Sequence, residues 1–440
     1  MKKLLPLLIG AVLGGLNTSA WADSLAEIYD LSKQNDPQLL SVKAKRDAAF
    51  EAITSSRSSL LPQINLTAGY NLTRGDTDLD AGGSRDNDQN ALSAGISFSQ
   101  ELYKRSSWIT LDNAEKTARQ ADASYAATQQ ALILRVAQAY FAVLKAQDNL
   151  DFVRAEKAAV ARQLEQTKQR FEVGLSAITD VHDAQAQYDG VLADEVLAEN
   201  SLTNSYEALR EITGQEHKNL NVLDTKRFTA SRSSTPAEAL IEEAKEKNLS
   251  LLSARIATDI AKENISLASS GHLPSLTLDG GYNYADVGSS TSDGTTNNFN
   301  IGLNLNVPLY TGGNITSQTK QAEFNYVATS QDLEATYRGV VKEVRAQKNN
   351  INASIGALRA YEQSVVSAKS ALEATEAGFD VGTRTIVDVL DATRRLYDAN
   401  KNLSDARYNY ILSVLQLRQA VGTLSEQDIL DVDAGLIAKK

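Results

Sequence analysis

The chain carries the segment SLLPQINLTAGYNL at residues 59–72 and a second version of it, GHLPSLTLDGGYNY, at residues 271–284. A second matching pair follows at a similar spacing, FEVGLSAITDVHDAQ at 171–185 and FDVGTRTIVDVLDAT at 379–393. Because the matches keep their order over nearly the whole length, the sequence is an internal duplication. It predicts two similar halves that share one body.

The first pair of segments has the alternating pattern of a β-strand with one apolar face. A further alternating segment follows each of them after a loop rich in Gly, Ser, Asp and Asn, which is typical of an exposed turn. The sequence therefore predicts two β-hairpins, at about residues 64–103 and about 276–310. The apolar positions of their first strands are Ile64, Leu66, Ala68, Tyr70 and Leu72, and Leu276, Leu278, Gly280, Tyr282 and Tyr284.

Glycine and proline placement predicts very long helices after each hairpin. Residues 100–173 contain neither residue type, and no proline follows Pro308. A helix of about 70 residues would be roughly 100 Å long, which is far longer than the helices of ordinary globular domains. In the second copy, spacings of three and four define the seam of a left-handed coiled coil. The seam residues are Leu333, Tyr337, Val340, Val344, Gln347, Ile351, Ser354 and Leu358.

The N-terminus has the pattern of a secretory signal peptide. Lys2 and Lys3 precede an apolar run at residues 4–16, and Ala20-Trp21-Ala22 offers the small residues that a signal peptidase recognises. We therefore predict a signal peptide at residues 1–22 and export of the remainder. Its removal would change the formal charge from −11 to −13, since two lysines are lost. No later run reaches about 18 consecutive apolar residues, which argues against a helical membrane protein.

Composition and motifs argue against several other classes. The acidic balance argues against a nucleic-acid partner, and the absence of cysteine excludes disulfides and thiolate metal sites. The three histidines, His182, His217 and His272, are scattered, and no metalloprotease, nucleophile-elbow or phosphate-loop motif occurs. The sequence therefore predicts no catalytic residue, no metal site and no cofactor.

The alternating strands fit two environments, a soluble sandwich and a membrane barrel. A sandwich needs a second sheet to cover each apolar face, and the long helices offer none. The strands have the length of about 9 to 11 residues that a tilted transmembrane strand needs, and Asn, Thr, Ser and Gly on the polar face suit a water-filled lumen. These features favour the membrane.

Four strands cannot close a barrel, and open edges in hydrocarbon would leave backbone groups unpaired. Two chains would supply eight strands, whose interior side chains largely fill the barrel. Three chains would supply twelve strands and leave a channel. The predicted fold is thus a mixed α and β membrane protein, a homotrimer whose β-barrel is continued by a tube of helices.

The run LPQINLTAGY, the paired VGLSAITDV and VGTRTIVDVLDA segments, the duplication and the export signal together resemble the TolC outer-membrane efflux family, the outer membrane factors. The resemblance covers essentially all of the predicted mature chain. It implies a homotrimeric twelve-stranded outer-membrane β-barrel with four strands per chain, a twelve-helix periplasmic α-barrel and a mixed α/β equatorial domain. The predicted divisions are the signal peptide 1–22, a first repeat 23–214, an equatorial linker 215–235, a second repeat 236–422 and a C-terminal equatorial segment 423–440.

The resemblance also implies a function. The protein would be an exit duct in the outer membrane of a Gram-negative bacterium, in contact with the lipid, that serves multidrug efflux and type I protein secretion. Its implied partners are a periplasmic adaptor and an inner-membrane transporter of RND, ABC or MFS type. The alternatives are a trimeric surface adhesin or stalk anchored by a β-barrel, and an outer-membrane enzyme. An adhesin would send its helices outward and would need no acidic constriction.

By motif, the resemblance assigns the family's two aspartate rings at the periplasmic entrance to Asp388 and Asp391. Residues at i and i+3 share a helix face, and threefold symmetry would place six carboxylates around one axis. Such crowding would raise some of their pKa values and attract cations. An isolated D-x-x-D pair, by contrast, is usually a solvated helix face.

The resemblance further implies a set of contacts that holds the entrance closed. We expect Arg384 and Asp180 to form an ion pair within this set. Phe379 stands where family members can carry tyrosine, so a hydroxyl contact to Asp180 is missing. The predicted members are Gln163, Thr179 and Asp180 from the first repeat, and Glu376, Phe379 and Arg384 from the second.

Overall fold

The computed structural model describes residues 23–78, 83–86, 88–232, 234–289 and 293–438. The predicted signal peptide, residues 1–22, lies outside the described residues. Within them the chain is mostly helical, and its strands gather mainly in one sheet.

The main sheet has four antiparallel strands in the order β1-β4-β6-β7. Short strands β2 and β3 pair with each other beyond the end of β1. Two further short strands, β5 and β8, form a separate pair. The strands are β1 Gln63–Thr73, β2 Asp76–Asp78, β3 Ser84–Asp86, β4 Gln89–Tyr103, β5 Val222–Leu223, β6 Ser275–Ser289, β7 Gly294–Asn306 and β8 Leu436–Ile437.

The register of the main sheet brings the apolar positions of both hairpins onto one face. Ile64 pairs with Phe98, Phe98 with Gly280, and Gly280 with Ile301. The polar positions alternate with these and share the opposite face. In the described part of the chain, β1 and β7 each have one neighbour, so both edges of the main sheet are open.

The helices include two of exceptional length, as the run without glycine or proline at residues 100–173 and the absence of proline after Pro308 predicted. The longer one has 68 residues and its counterpart 67, which corresponds to about 100 Å each. The helices are α1 Leu25–Asn35, α2 Pro37–Ser58, α3 Arg105–Glu172, α4 Ile178–Thr213, α5 Ala237–Lys247, α6 Leu249–Ser269, α7 Asn314–Asp380, α8 Ile386–Val421 and α9 Glu426–Asp433.

Each long helix packs against two shorter helices of its own repeat along most of its length. Helix α3 packs against α2 and α4, and α7 packs against α6 and α8. Since α3 also packs against α6 and α8, the helices form a layer whose edges are α2 and α4 on one side and α7 on the other. All eight predicted seam residues of α7 are buried or partly buried.

The largest buried cluster surrounds the middle of α3, where Tyr140 and Phe141 are fully buried. Residues of α1, α9 and the β5–β8 pair contribute to the same cluster, including Ile28 and Ile429. The segment after residue 215 and the segment after residue 422 therefore meet there through the β5–β8 pair. None of the described helices combines the length and the apolar character needed to cross a membrane.

Candidate functional site at the hairpin tips

The predicted entrance residues lie near the two turns that join the long helices to their partners. We call residues 173–177, between α3 and α4, and residues 381–385, between α7 and α8, the hairpin tips. Each tip contains a glycine with a left-handed backbone, Gly174 at φ +78° and Gly382 at φ +79°. That conformation is strained for other residue types, which explains the glycine that the two repeats share.

Asp180 and Asp388 occupy equivalent places as the third residues of α4 and α8, and both cap their helix. The backbone N–H of Ala177 donates to Asp180 Oδ2 at 3.1 Å, and that of Thr385 donates to Asp388 Oδ2 at 2.9 Å. Thr385 Oγ1 in turn accepts from the Asp388 N–H at 3.2 Å. Sequence reasoning missed this role, although T-x-x-D before an apolar run is a capping-box signal.

The capping contacts also affect the charge of Asp388. Hydrogen bonds from the Thr385 backbone and hydroxyl, with the nearby Arg384 charge, hold the pKa of the Asp388 carboxyl below its usual value. Both of these bonds end on Oδ2. Asp391 lies one turn further along α8 and is about half exposed, with its Oδ1 3.7 Å from Arg394 Nη2.

Arg384 contacts the end of α7. Its backbone N–H donates to the Gly378 carbonyl at 3.2 Å. A Cβ at position 378 would lie 2.8 Å from Arg384 Cγ, so glycine makes room for the arginine stem. Among the ion pairs of the described residues, none joins Arg384 to Asp180. The predicted pair is therefore not formed within one chain.

The remaining predicted gate residues are distributed over both helical hairpins, α3–α4 and α7–α8. Gln163 lies on α3, and its Oε1 is buried without a hydrogen-bond partner among the described residues. Thr179 lies on the first turn of α4 and Glu376 on the last turns of α7, and both are exposed. Phe379 is partly buried against a cluster that joins the two hairpins through Leu164 and Ile386.

One residue near the tips escaped the sequence analysis. The guanidinium of Arg170, on the last turn of α3, lies 4.5 Å from the centre of the Phe379 ring. Its Nη2 is 3.5 Å from Asp380 Oδ1. No local pattern marks Arg170, because both contacts cross from one repeat to the other.

Apolar side chains project from both tips. Val173, Leu175 and Val381 are each about 70% exposed or more. Isolated apolar residues on a surface are common, but a contiguous exposed group marks an interaction surface. In the described residues no group of His, Cys, Asp or Glu has the arrangement of a metal site.

Residues 28–215 and 240–423 each match the outer membrane efflux protein family. The chain therefore belongs to this family, whose members are outer-membrane proteins and not enzymes. Both predictions, an outer-membrane efflux protein and the lack of enzymatic function, are confirmed.

Comparisons with individual proteins support the same family. The chain is 76% identical over 445 residues to outer membrane protein TolC of Vibrio cholerae serotype O1, with 100% of both chains covered. It is 29% identical over 452 residues to the alkaline protease secretion protein AprF of Pseudomonas aeruginosa, covering 100% of this chain and 92% of that protein. The fold is similar to that of the Campylobacter jejuni CmeC outer membrane channel, with a TM-score of 0.76, 17% identity, and 99% and 98% of the two chains covered.

Proposed function

We propose that three copies of this chain form one exit duct that crosses the outer membrane and extends through the periplasm, serving multidrug efflux and type I protein secretion. The observation that carries the proposal is the main sheet, which has two open edges and one exposed apolar face. Leu66 and Phe299 on that face are each 76% exposed. A face of this kind is stable against lipid, provided that the edges are paired.

Neighbouring chains can supply that pairing. Strands β1 and β7 run in opposite directions, so β1 of one subunit pairs antiparallel with β7 of the next when the copies are related by rotation. The two edges of the helix layer also carry exposed apolar residues that could pack against each other between subunits. Exposed apolar residues lie on α4, for example Val196 and Leu197, and on α7, for example Phe324 and Val327. These edge residues would be buried between subunits.

The number of strands that each assembly would supply favours three subunits. Two chains would give eight strands and a largely filled interior, whereas three give twelve strands and a lumen. At each level the helix layer of one chain is four helices wide, with α2 or α4, α3, α6 or α8, and α7 side by side. A trimer therefore also gives a twelve-helix tube. The β5–β8 pair, α1 and α9 then form a mixed equatorial belt around the tube. The chain divides into a signal peptide 1–22, repeats 23–214 and 236–422, and equatorial segments 215–235 and 423–440.

The hairpin tips would form the periplasmic entrance. Asp388 and Asp391 lie near the tip of the second repeat, and three copies of each form two acidic rings. Gln163, Thr179, Asp180, Glu376, Phe379 and Arg384 form the network that closes the entrance. Since Arg384 and Asp180 make no ion pair within one chain, their pair would form between neighbouring subunits.

The partners would meet this same end of the tube. The exposed Val173, Leu175 and Val381 offer an apolar surface, which suits a periplasmic adaptor that links the duct to an inner-membrane transporter of RND, ABC or MFS type. The likeness to AprF, a protease secretion protein, supports secretion of proteins in addition to efflux of small molecules.

Mass and conductance test the proposal together. We expect the detergent-solubilised protein to have the mass of three chains and to form ion-conducting channels in planar bilayers. A particle with the mass of one chain, or bilayers that stay non-conducting, would contradict it. A surface adhesin would expose α3 and α7 to protease added to intact cells, whereas the duct keeps both helices protected in the periplasm.

A further inference from the structure

Arg170 connects the ends of the two long helices. Its guanidinium carbon lies 4.5 Å from the Phe379 ring centre, and its Nη2 lies 3.5 Å from Asp380 Oδ1. Phe379 and Asp380 are the last two residues of α7, and Arg170 lies on the last turn of α3. One side chain therefore contacts two consecutive residues of the other hairpin just before both chains turn.

The chemistry of the contact suits arginine specifically. A planar guanidinium can stack on an aromatic face while its edge N–H groups donate to a carboxylate, whereas a lysine ammonium has no planar group to stack. The Arg170 side chain is 28% exposed, whereas Asp380 is 65% exposed. Phe379 also packs against the buried cluster around Leu164 and Ile386. The ring is therefore positioned to receive the guanidinium.

We propose that Arg170 is a positioning residue of the closed entrance, a latch that holds the α7–α8 hairpin against the α3–α4 hairpin. The inference rests on the proposed duct function. Phe379 lies on the last turn of α7, and Asp388 and Asp391 lie on the first two turns of α8, just across the same hairpin tip. Any movement that carries this hairpin away from α3 must break the contact between Arg170 and Phe379. The latch thus opposes widening of the acidic entrance, and a trimer contains three of them.

The contact also gives Phe379 a role without a hydroxyl. From the sequence alone, phenylalanine at position 379 only lacked the hydroxyl contact that tyrosine could make to Asp180. In the structure the ring face is used instead, as the platform for Arg170. Its function depends on aromaticity.

Resting single-channel conductance of the full trimer in planar bilayers tests the latch. We expect Arg170→Gln and Phe379→Leu each to raise the resting conductance at least about twofold. Each variant removes a contact that only the closed state makes, so the closed population falls. Arg170→Lys should raise it as well, since the charge remains but the stacking is lost. The double variant Arg170→Gln with Phe379→Leu should conduct little more than either single variant, as expected for two residues of one contact.

Lys168→Gln is the matched control, because it removes the same charge from the same turn of α3. Among the described residues Lys168 makes no ion pair or ring contact, so its conductance should equal that of the parent. Thermal unfolding of the trimer should be similar for all variants, which separates gating from loss of folding. Parent-like conductance of Arg170→Gln, or a rise of equal size in Lys168→Gln, would overturn the latch. Failure of the parent itself to form channels would instead contradict the proposed duct.

Discussion

Equivalent glycines of the two repeats have different tertiary surroundings. Gly214 ends α4 at φ +72° and Gly422 ends α8 at φ +88°, so both adopt the left-handed conformation that favours glycine. A Cβ at Gly214 would meet the Asn35 side chain at an ordinary 3.8 Å. A Cβ at Gly422 would lie 2.8 Å from Asn248 Cα and closer still to the Lys247 carbonyl.

We therefore expect Gly422→Ala to destabilise the protein more than Gly214→Ala. The backbone strain alone costs about 1 to 2 kcal/mol at each site, and the clash at Gly422 adds roughly 1 to 3 kcal/mol. Unfolding of the two variants by denaturant measures the difference. Equal losses of stability would show that the backbone near Lys247 moves aside without cost.

A buried ion pair distinguishes the first repeat from the second. Asp36 caps α2 by accepting from the Leu39 N–H at 2.8 Å, and it also accepts from Arg135 Nη2 at 2.6 Å. The Asp36 side chain is only 2% exposed. At the equivalent place in the second repeat, Asn248 caps α6, and Glu343, the counterpart of Arg135, lines the same cavity as Asn248. The second repeat thus has a neutral residue and an acid at these two positions, and no positive charge.

Arg135→Gln should destabilise the protein by about 2 to 4 kcal/mol, because it leaves the Asp36 carboxylate buried without its counter-charge. The double variant Asp36→Asn with Arg135→Gln removes both charges and should recover most of that loss. Chemical unfolding of both variants measures this. If the double variant is no more stable than Arg135→Gln, unpaired charge is not the cause of the loss.

At the scale of the elements, a half-buried acid lies where three helices meet. Glu156 of α3 faces Asp194 of α4 and Asp398 of α8, and Arg394 partly offsets their charge. The same cavity is lined by Tyr397 and Lys401. Burial, together with the two aspartates, raises the pKa of Glu156 from 4.5 to about 7.

The raised pKa of Glu156 makes the stability of the folded protein depend on pH. Between pH 4.5 and 7 the folded protein holds the Glu156 proton more tightly than the unfolded chain, so the free energy of unfolding falls as pH rises through that window. Glu156→Gln should remove this loss and stabilise the protein at pH 8 by about 1 kcal/mol per chain, allowing for solvent screening. It should have little effect at pH 4. Thermal unfolding at both pH values measures the effect, with Glu165→Gln on the exposed face of α3 as the control. Equal stabilisation at pH 4 and pH 8 would contradict it.

The two faces of the main sheet predict opposite responses to charge. Ile301 of β7 belongs to the apolar face and is 68% exposed, and the adjacent Asn300 belongs to the polar face. Ile301→Lys should destabilise the membrane-inserted trimer by about 2 to 4 kcal/mol if that face contacts lipid. Asn300→Lys should have a much smaller effect, since its side chain would project into water. The fraction of heat-resistant trimer in outer-membrane extracts compares the two, and equal yields would contradict a lipid-facing apolar surface.

At the scale of the whole molecule, threefold symmetry would convert single carboxylates into rings. Replacing both Asp388 and Asp391 by Asn should abolish block of the channel by divalent or trivalent cations added on the periplasmic side, because six negative charges near the axis are lost. Asparagine keeps an oxygen that can cap α8, so the helix should remain intact.

Asp183→Asn is the control for this experiment, because Asp183 is the counterpart of Asp391 in the first repeat. It should leave cation block unchanged if the second repeat alone lines the constriction. Block that persists in the Asp388→Asn, Asp391→Asn protein would place the constriction elsewhere in the tube.

The sequence by itself determined the duplication, the two hairpins and the long helices. These features depend on local periodicity and on the positions of glycine and proline, which act on the backbone residue by residue. Helix α3 follows the glycine- and proline-free run, and β1 and β6 follow the two alternating segments. Family membership could also be predicted from the sequence, because segments such as VGTRTIVDVLDA are long enough to be specific. The entrance rings and the gate network remain predictions.

Only the tertiary structure decided which residues of the two repeats meet. The pairing of β4 with β6 joins the hairpins into one sheet, and neither strand carries a signal for that neighbour. The contact of Arg170 with Phe379 and the burial of Asp36 beside Arg135 join residues about 100 to 200 positions apart. The Arg384 and Asp180 pair, suggested by motif, is not formed within one chain. Periodicity specifies which face of an element is buried, but the partner depends on how whole elements pack, and that is a property of the folded chain.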